Sequence, residues 1–86
     1  MEAGANAIME HSTLNDLRPG QQALVQSLHS TGGMRRRLRD IGLIENTLVE
    51  CLGLSPGGDP AAYRVRGAVI ALRAEDSRDV WVKIMA

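Results

Sequence analysis

Hydrophobic and polar residues alternate along several short stretches of the chain, which is the pattern of half-buried β-strands. Ala23 and Val25 share one face of the first stretch, while Leu28 falls out of phase with them and predicts a bulge or the end of the strand. The alternation predicts five strands, at Gln22–Leu28, Thr47–Leu54, Ala62–Val65, Ala68–Leu72 and Val80–Met85.

The connections between these strands indicate how they are joined. Only Arg66 and Gly67 separate the third strand from the fourth, and two-residue connections are those of tight β-hairpins, in which Gly67 has a structural role. The segment Ser55–Pro60 contains two prolines and two glycines and is a loop, whereas Arg73–Asp79 predicts one helical turn. Connections this short leave no room for parallel crossovers, so the sheet is expected to be antiparallel.

One segment follows the helical period instead. Met34, Leu38 and Ile41 recur on one face of a predicted helix, and Gly42 suits the left-handed conformation just past its end. These residues are expected to hold the helix against the sheet. The other faces of this segment carry the most basic cluster of the chain, formed by Arg35, Arg36, Arg37 and Arg39.

The start of the chain shows no clear period. Residues 1–13 are therefore predicted to form a flexible leader, with one frayed helical turn around 5–10, and residues 14–86 to form the folded domain. Leu14 and Leu17 are spaced for one helical turn on the core, which Asn15 is expected to cap.

Composition narrows the class of protein. A chain of 86 residues suits one small domain, and one Trp, one Tyr and no Phe leave aliphatic side chains to form its core. The single cysteine excludes an internal disulfide and fits a reducing compartment. Neither a signal peptide nor an apolar run long enough to span a membrane is present, so a cytoplasmic location is expected.

The ten basic and ten acidic residues cancel, yet four of the positive charges fall between Arg35 and Arg39. Guanidinium groups bind carboxylates and phosphates with two parallel hydrogen bonds. The cluster is therefore either a docking surface for an acidic or phosphate-bearing partner or the solvated face of an amphipathic helix.

Taken in order, the motifs resemble those of the FeoA family, the small cytosolic proteins of bacterial ferrous iron uptake. The resemblance runs from about Leu14 to Ile84 and departs from the family at Glu45 and Asn46, where relatives usually carry Pro-Gly. Asn tolerates the same positive φ, so the turn is expected to survive. The motifs that carry the resemblance are LNDLRPG, ALV, RRLRDIGL, TLV, GGDP, RGAVIALR and VWV.

This resemblance implies an all-β fold: a small SH3-like antiparallel β-barrel of about five strands, with a short helix in the first connection and a helical turn before the last strand. It also implies a non-enzymatic accessory protein that binds the cytosolic part of the FeoB GTPase-transporter, modulates its assembly or activity, and meets the membrane only through that partner. The residues expected to contact the partner are Arg35, Arg36, Arg37, Arg39, Leu43 and Trp81.

Two other functions of SH3-like domains remain as alternatives. The same domain occurs at the C-terminus of iron-dependent repressors of the diphtheria toxin repressor type, where it binds metal ions and regulates, but a DNA-binding domain has no room in 86 residues. An RNA-binding barrel is less favoured, because the net charge is zero and no exposed aromatic pair is present to stack bases. No nucleic-acid partner is therefore expected.

Candidate chemistry elsewhere in the chain is sparse. His11, His29 and Cys51 do not stand at metal-ligand spacing, so the sequence predicts no metal site and no resident cofactor, and leaves open only weak, transient binding of a divalent metal. No arrangement of a nucleophile, a base and a carboxylate indicates catalysis. Trp81 alternates with core residues and is expected to face outward, as an interface anchor or half-covered by the leader.

Overall fold

The computed structural model describes residues 12–85, so most of the predicted leader, including the turn at 5–10, lies outside the described residues. Six antiparallel strands form one sheet in the order β1-β6-β2-β3-β4-β5. The strands are β1 Ser12–Thr13, β2 Gln22–Leu28, β3 Leu48–Leu54, β4 Ala61–Val65, β5 Ala68–Leu72 and β6 Val80–Ile84. A 3₁₀ turn at Leu14–Asp16 and two helices, α1 at Gly32–Asp40 and α2 at Ala74–Ser77, complete the fold.

The five predicted strands are confirmed, and β1 is an addition. Ser12 pairs with Val82 and Thr13 with Trp81, so these two residues belong to the sheet although the sequence placed them in the leader. Two residues are too short to show an alternation. The predicted cap is also different: the carboxylate of Asp16 accepts a hydrogen bond of 2.9 Å from the amide of Thr13, and Asn15 is exposed.

Strand β2 contains the bulge that its sequence predicts. Its register against β6 shifts between Val25 and Ser27, which leaves Gln26 as the extra residue. The shift explains why Leu28 falls out of phase with Val25 and still packs against the core.

The β4–β5 hairpin has the expected two-residue turn. Arg66 and Gly67 have φ values of 53° and 85°, as a type I′ turn requires. This turn matches the right-handed twist of the two strands. Its pairing places Val65 opposite Ala68 and Tyr63 opposite Ile70.

The core lies on one face of the sheet and is aliphatic apart from Tyr63 and Cys51. The hydroxyl of Tyr63 donates a hydrogen bond to the main-chain oxygen of Leu14, which ties the 3₁₀ turn to β4. The buried hydrophobic residues are Leu14, Leu17, Ala23, Val25, Leu38, Leu43, Val49, Cys51, Ala61, Tyr63, Val65, Leu72, Val80 and Val82.

Helix α1 lies in the connection between β2 and β3. It begins at Gly32, two residues before the predicted start, and Leu38 is fully buried while Met34 and Ile41 pack against the core from the same face. Gly42 follows with a φ of 107°, as its position past the helix end predicts. Within residues 12–85, no helix combines the length and the apolar character needed to cross a membrane.

Candidate protein-docking surface

The basic face of α1 carries four arginines within five positions of the chain. All four arginines are exposed, because Leu38 takes the one buried position between them. No acidic side chain of residues 12–85 forms an ion pair with any of the four guanidinium groups. Their charges are therefore available to an external partner. We call this the arginine surface: Arg35, Arg36, Arg37 and Arg39.

Arg35 differs from the other three arginines. Its Nη1 donates a hydrogen bond of 2.8 Å to the main-chain oxygen of Leu28, the last residue of β2. This bond satisfies a carbonyl at the end of a strand and fixes the first turn of α1 against the sheet. Arg35 therefore has a structural role as well as a charge, whereas Arg36, Arg37 and Arg39 have no such contact within the described residues.

A groove of about 460 Å³ runs between α1 and the second half of β2. Arg35 and Arg39 form its helical wall, and the residues after the helix form its other end. There Ile44 is 42% exposed and Glu45 lines the same end, so the groove joins an apolar side chain to two positive charges and one negative charge. On the far side of the same two arginines a second depression of about 310 Å³ is lined by Arg36 and Asp40. A partner segment with an apolar residue and nearby carboxylates matches this arrangement.

Leu43, which the sequence placed among the partner contacts, borders the groove but is buried. Its side chain is 0% exposed, and its amide donates a hydrogen bond of 3.0 Å to the carbonyl of Leu38 as the chain leaves the helix. The exposed residue is the next one, Ile44. Neither the helical period nor the strand period extends through this short connection, so the sequence offered no signal for which of the two neighbours faces inward.

Trp81 does not line the groove. It lies on β6, partly buried, and its ring stacks on the imidazole of His29 with centroids 3.7 Å apart and planes inclined by 28°. Residue 29 follows the end of β2, and its amide donates to the carbonyl of Asp79. Trp81 is thus partly buried and covered on one face by His29, whereas the sequence offered the leader as its cover, and most of the leader lies outside the described residues. Trp81 lines neither of the two depressions that border the arginine surface.

The structure does not bring the candidate metal-binding residues of the described chain together. Among residues 12–85 no cluster of three His, Cys, Asp or Glu side chains is placed to hold a metal ion, and His11 lies outside this range. Cys51 is buried in β3, and this burial raises the pKa of its thiol, while a hydrogen bond with the main chain of Gly53 acts in the opposite direction. A protonated, enclosed thiol is a packing residue.

A single small antiparallel sheet with a basic helix in its first long connection defines a small SH3-like domain. The sequence model of the FeoA domain matches residues 12–84, and the chain belongs to the FeoA family. This family is tied to ferrous iron transport, as the names of its members state.

Solved structures of two relatives agree with this assignment. The FeoA protein of Chlorobium tepidum is 31% identical, with a TM-score of 0.82 over 87% of this chain and 71% of its own. The FeoA of Stenotrophomonas maltophilia, described as a procaryotic SH3 domain protein complexed with zinc, is 30% identical, with a TM-score of 0.76 over 84% of this chain and 89% of its own. The SH3-like fold is therefore confirmed.

A third relative joins this domain to a transporter. The Fe(2+) transport protein A/Fe(2+) transporter FeoB fusion protein of Porphyromonas gingivalis is 26% identical over 73 residues, which are 85% of this chain. The chain spans 9% of the length of that fusion protein. A manganese-dependent transcriptional repressor, 17% identical with a TM-score of 0.78, shares the fold alone.

Proposed function

We propose that this protein is a non-enzymatic cytoplasmic accessory protein of bacterial ferrous iron uptake. It binds the cytosolic region of a FeoB-type transporter and modulates the assembly or activity of that transporter. The observation that carries the proposal is the fusion protein of P. gingivalis, in which a domain similar to this chain is part of the same polypeptide as FeoB. A covalent link of this kind keeps two interacting domains at a high effective concentration.

The arginine surface supports a protein partner of acidic character. Its charges are unpaired within residues 12–85, and Arg side chains are among the residues that contribute most to the free energy of binding at protein interfaces. Ile44 supplies an apolar contact at the end of the groove, where Arg39 supplies the adjacent charge. Together they favour a segment that carries carboxylates around an apolar side chain.

The proposal is tested by reversing charge on the arginine surface without disturbing the fold. In the double variant Arg36→Glu/Arg39→Glu, Arg35 keeps its bond to the sheet. Affinity for the purified cytosolic region of a FeoB-type transporter is measured by calorimetry at low and physiological salt. We expect a loss of about tenfold or more, equivalent to about 1.4 kcal/mol or more, since Arg is enriched among the interface residues that contribute most to binding.

The matched control is Arg18→Glu/Arg78→Glu. These two arginines are also exposed, lie outside α1, and give the same change in net charge. Only the α1 variant should lose affinity and salt dependence. Equal affinity of both variants and the unmodified protein, with unchanged unfolding curves, would remove the arginine surface from the interface.

A further inference from the structure

Strand β5 forms one edge of the sheet. It pairs with β4 along its full length, and no other strand of residues 12–85 pairs with its opposite side. Edge strands present unpaired N–H and C=O groups to the solvent and can accept a further strand.

The hairpin register shows which backbone groups are directed away from β4. The two-residue turn makes Val65 and Ala68 the hydrogen-bonded pair that closes the hairpin, and hydrogen-bonded pairs alternate along an antiparallel ladder. The amide and carbonyl groups of Val69 and Ala71 therefore point outward. Neither residue has a hydrogen bond to another element of the described chain.

The side chains on this edge are small, apolar and accessible. Val69 is 61% exposed, the highest value among the large hydrophobic residues that the structure exposes, and Ala68 and Ala71 are exposed as well. No charge, proline or bulge interrupts β5. The usual means of blocking an edge strand are thus absent from within it.

Positive charges flank the edge. Arg66 precedes β5, with a side chain that extends over Gly42 and has to rotate to reach the edge, and Arg73 follows β5; neither forms an ion pair within residues 12–85. Arg64, opposite Val69 on β4, has only a partly exposed contact of 3.8 Å with Glu50. The acidic residues that follow Arg73, Glu75 and Asp76, belong to α2 and do not pair with it.

We propose that the β5 edge binds an extended segment of a partner protein, in which acidic residues flank small apolar ones, and adds it to the sheet as an antiparallel strand. Val69 and Ala71 each exchange two main-chain hydrogen bonds with it, and Arg66 and Arg73 bind its carboxylates. This surface is distinct from the arginine surface on α1, and the proposal does not depend on the identity of the partner there.

The charges disfavour a second copy of this chain paired about Ile70, the central residue of β5. If two β5 edges paired around Ile70, Val69 would lie opposite Ala71 of the second copy. Arg66 of each copy would then lie one position away from Arg73 of the other. Like charges placed this closely across a strand pair are destabilising. An acidic segment of another protein reverses the sign of both contacts.

The test uses a capped synthetic peptide of about ten residues, with alternating Val and Thr at its centre and Glu at both ends. Titration into the isotope-labelled protein is followed by amide NMR. We expect the largest shifts at Val69 and Ala71. Only every second amide of the bound peptide donates to β5. N-methylation of those amides should abolish binding, whereas N-methylation of the intervening amides should preserve it.

Two protein variants complete the test. Ala71→Pro removes an outward N–H without removing a β4–β5 hydrogen bond and should weaken peptide binding about tenfold, as should Arg66→Glu/Arg73→Glu. Arg36→Glu/Arg39→Glu should leave it unchanged. Absence of binding at millimolar peptide, shifts centred on the α1 groove, equal binding of both methylated peptides, or self-association of the protein through β5 would each overturn the proposal.

Discussion

The hydroxyl of Tyr63 donates a hydrogen bond of 3.2 Å to the main-chain oxygen of Leu14, across 49 positions of the chain. The same oxygen also accepts a bond of 3.1 Å from the amide of Leu17. Tyr63→Phe therefore removes a buried bond without leaving the carbonyl unpaired. We expect it to lower the free energy of unfolding by about 0.5–1.5 kcal/mol, measured by urea denaturation. An unchanged midpoint would show that the bond contributes nothing net.

Stability should also depend on Tyr63 at alkaline pH. Burial raises the pKa of its phenol, so the unfolded chain releases this proton at a lower pH than the folded protein does. The stability that the buried, protonated phenol contributes is fully present below its ordinary pKa of about 10. It is lost as the pH rises through the higher pKa of the folded protein. Between about pH 8 and 11 the unmodified protein should therefore lose more stability than Tyr63→Phe. Burial also raises the pKa of Cys51, but this residue is present in both proteins, so the difference between them reports on Tyr63.

A side chain at Gly42 would meet the side chain of Arg66 and would require a strained backbone. A Cβ atom at this position would lie 2.6 Å from Cδ of Arg66, and the φ of 107° is one that other residues adopt only with strain. Gly42→Ala should destabilise the fold by about 1–2 kcal/mol through the backbone, and further by displacing Arg66. Comparing it with Arg66→Ala and the double variant in thermal unfolding separates the two costs. Full recovery in the double variant would contradict a backbone contribution.

His29 covers one face of the only tryptophan of the chain, Trp81, so its effect can be read directly from fluorescence. His29→Ala should shift the emission to longer wavelength and lower stability by about 0.5–1.5 kcal/mol, as the loss of a stacked aromatic pair does. His29→Phe is the control, since it retains a ring for stacking. An emission maximum that stays constant in His29→Ala would mean that the stack does not form in solution.

Leu38 attaches the arginine surface to the core. Leu38→Ala leaves a cavity at a fully buried site and should cost about 2–5 kcal/mol in urea unfolding. Met34→Ala, at a partly buried position one helical turn earlier, should cost clearly less. Equal losses of stability in the two variants would indicate that Leu38 does not hold the helix more strongly than Met34 does.

Much of the fold follows from local patterns. The range Gln22–Leu28 agrees with β2, and the out-of-phase position of Leu28 reports a bulge that the register confirms. Alternation of apolar and polar residues predicts these strands well because one face of each strand is buried. Gly42, Asn46 and Gly67 were recognisable because their turns require positive φ, which all three have.

The features that the sequence did not indicate depend on contacts between distant segments. β1 has two residues and exists only through its pairing with β6, so no local period marks it. Leu43 and Ile44 are both apolar, and which of them is buried depends on how the chain turns from α1 toward β3. The stacking of His29 on Trp81 likewise joins two strand ends that are remote in sequence.

The two attachments of α1 have a consequence for how quickly a partner binds and leaves. Its first turn is held by the Arg35 bond to Leu28, and the chain beyond it is held by the amide of Asn46, which donates to the carbonyl of Val25. A partner therefore encounters charges on a rigid support and needs no folding step. Surface charges of this kind accelerate encounter, and short-range contacts around Ile44 then govern how long the complex lasts. Added salt should therefore slow association on the arginine surface, while truncation of Ile44 should shorten the lifetime of the complex.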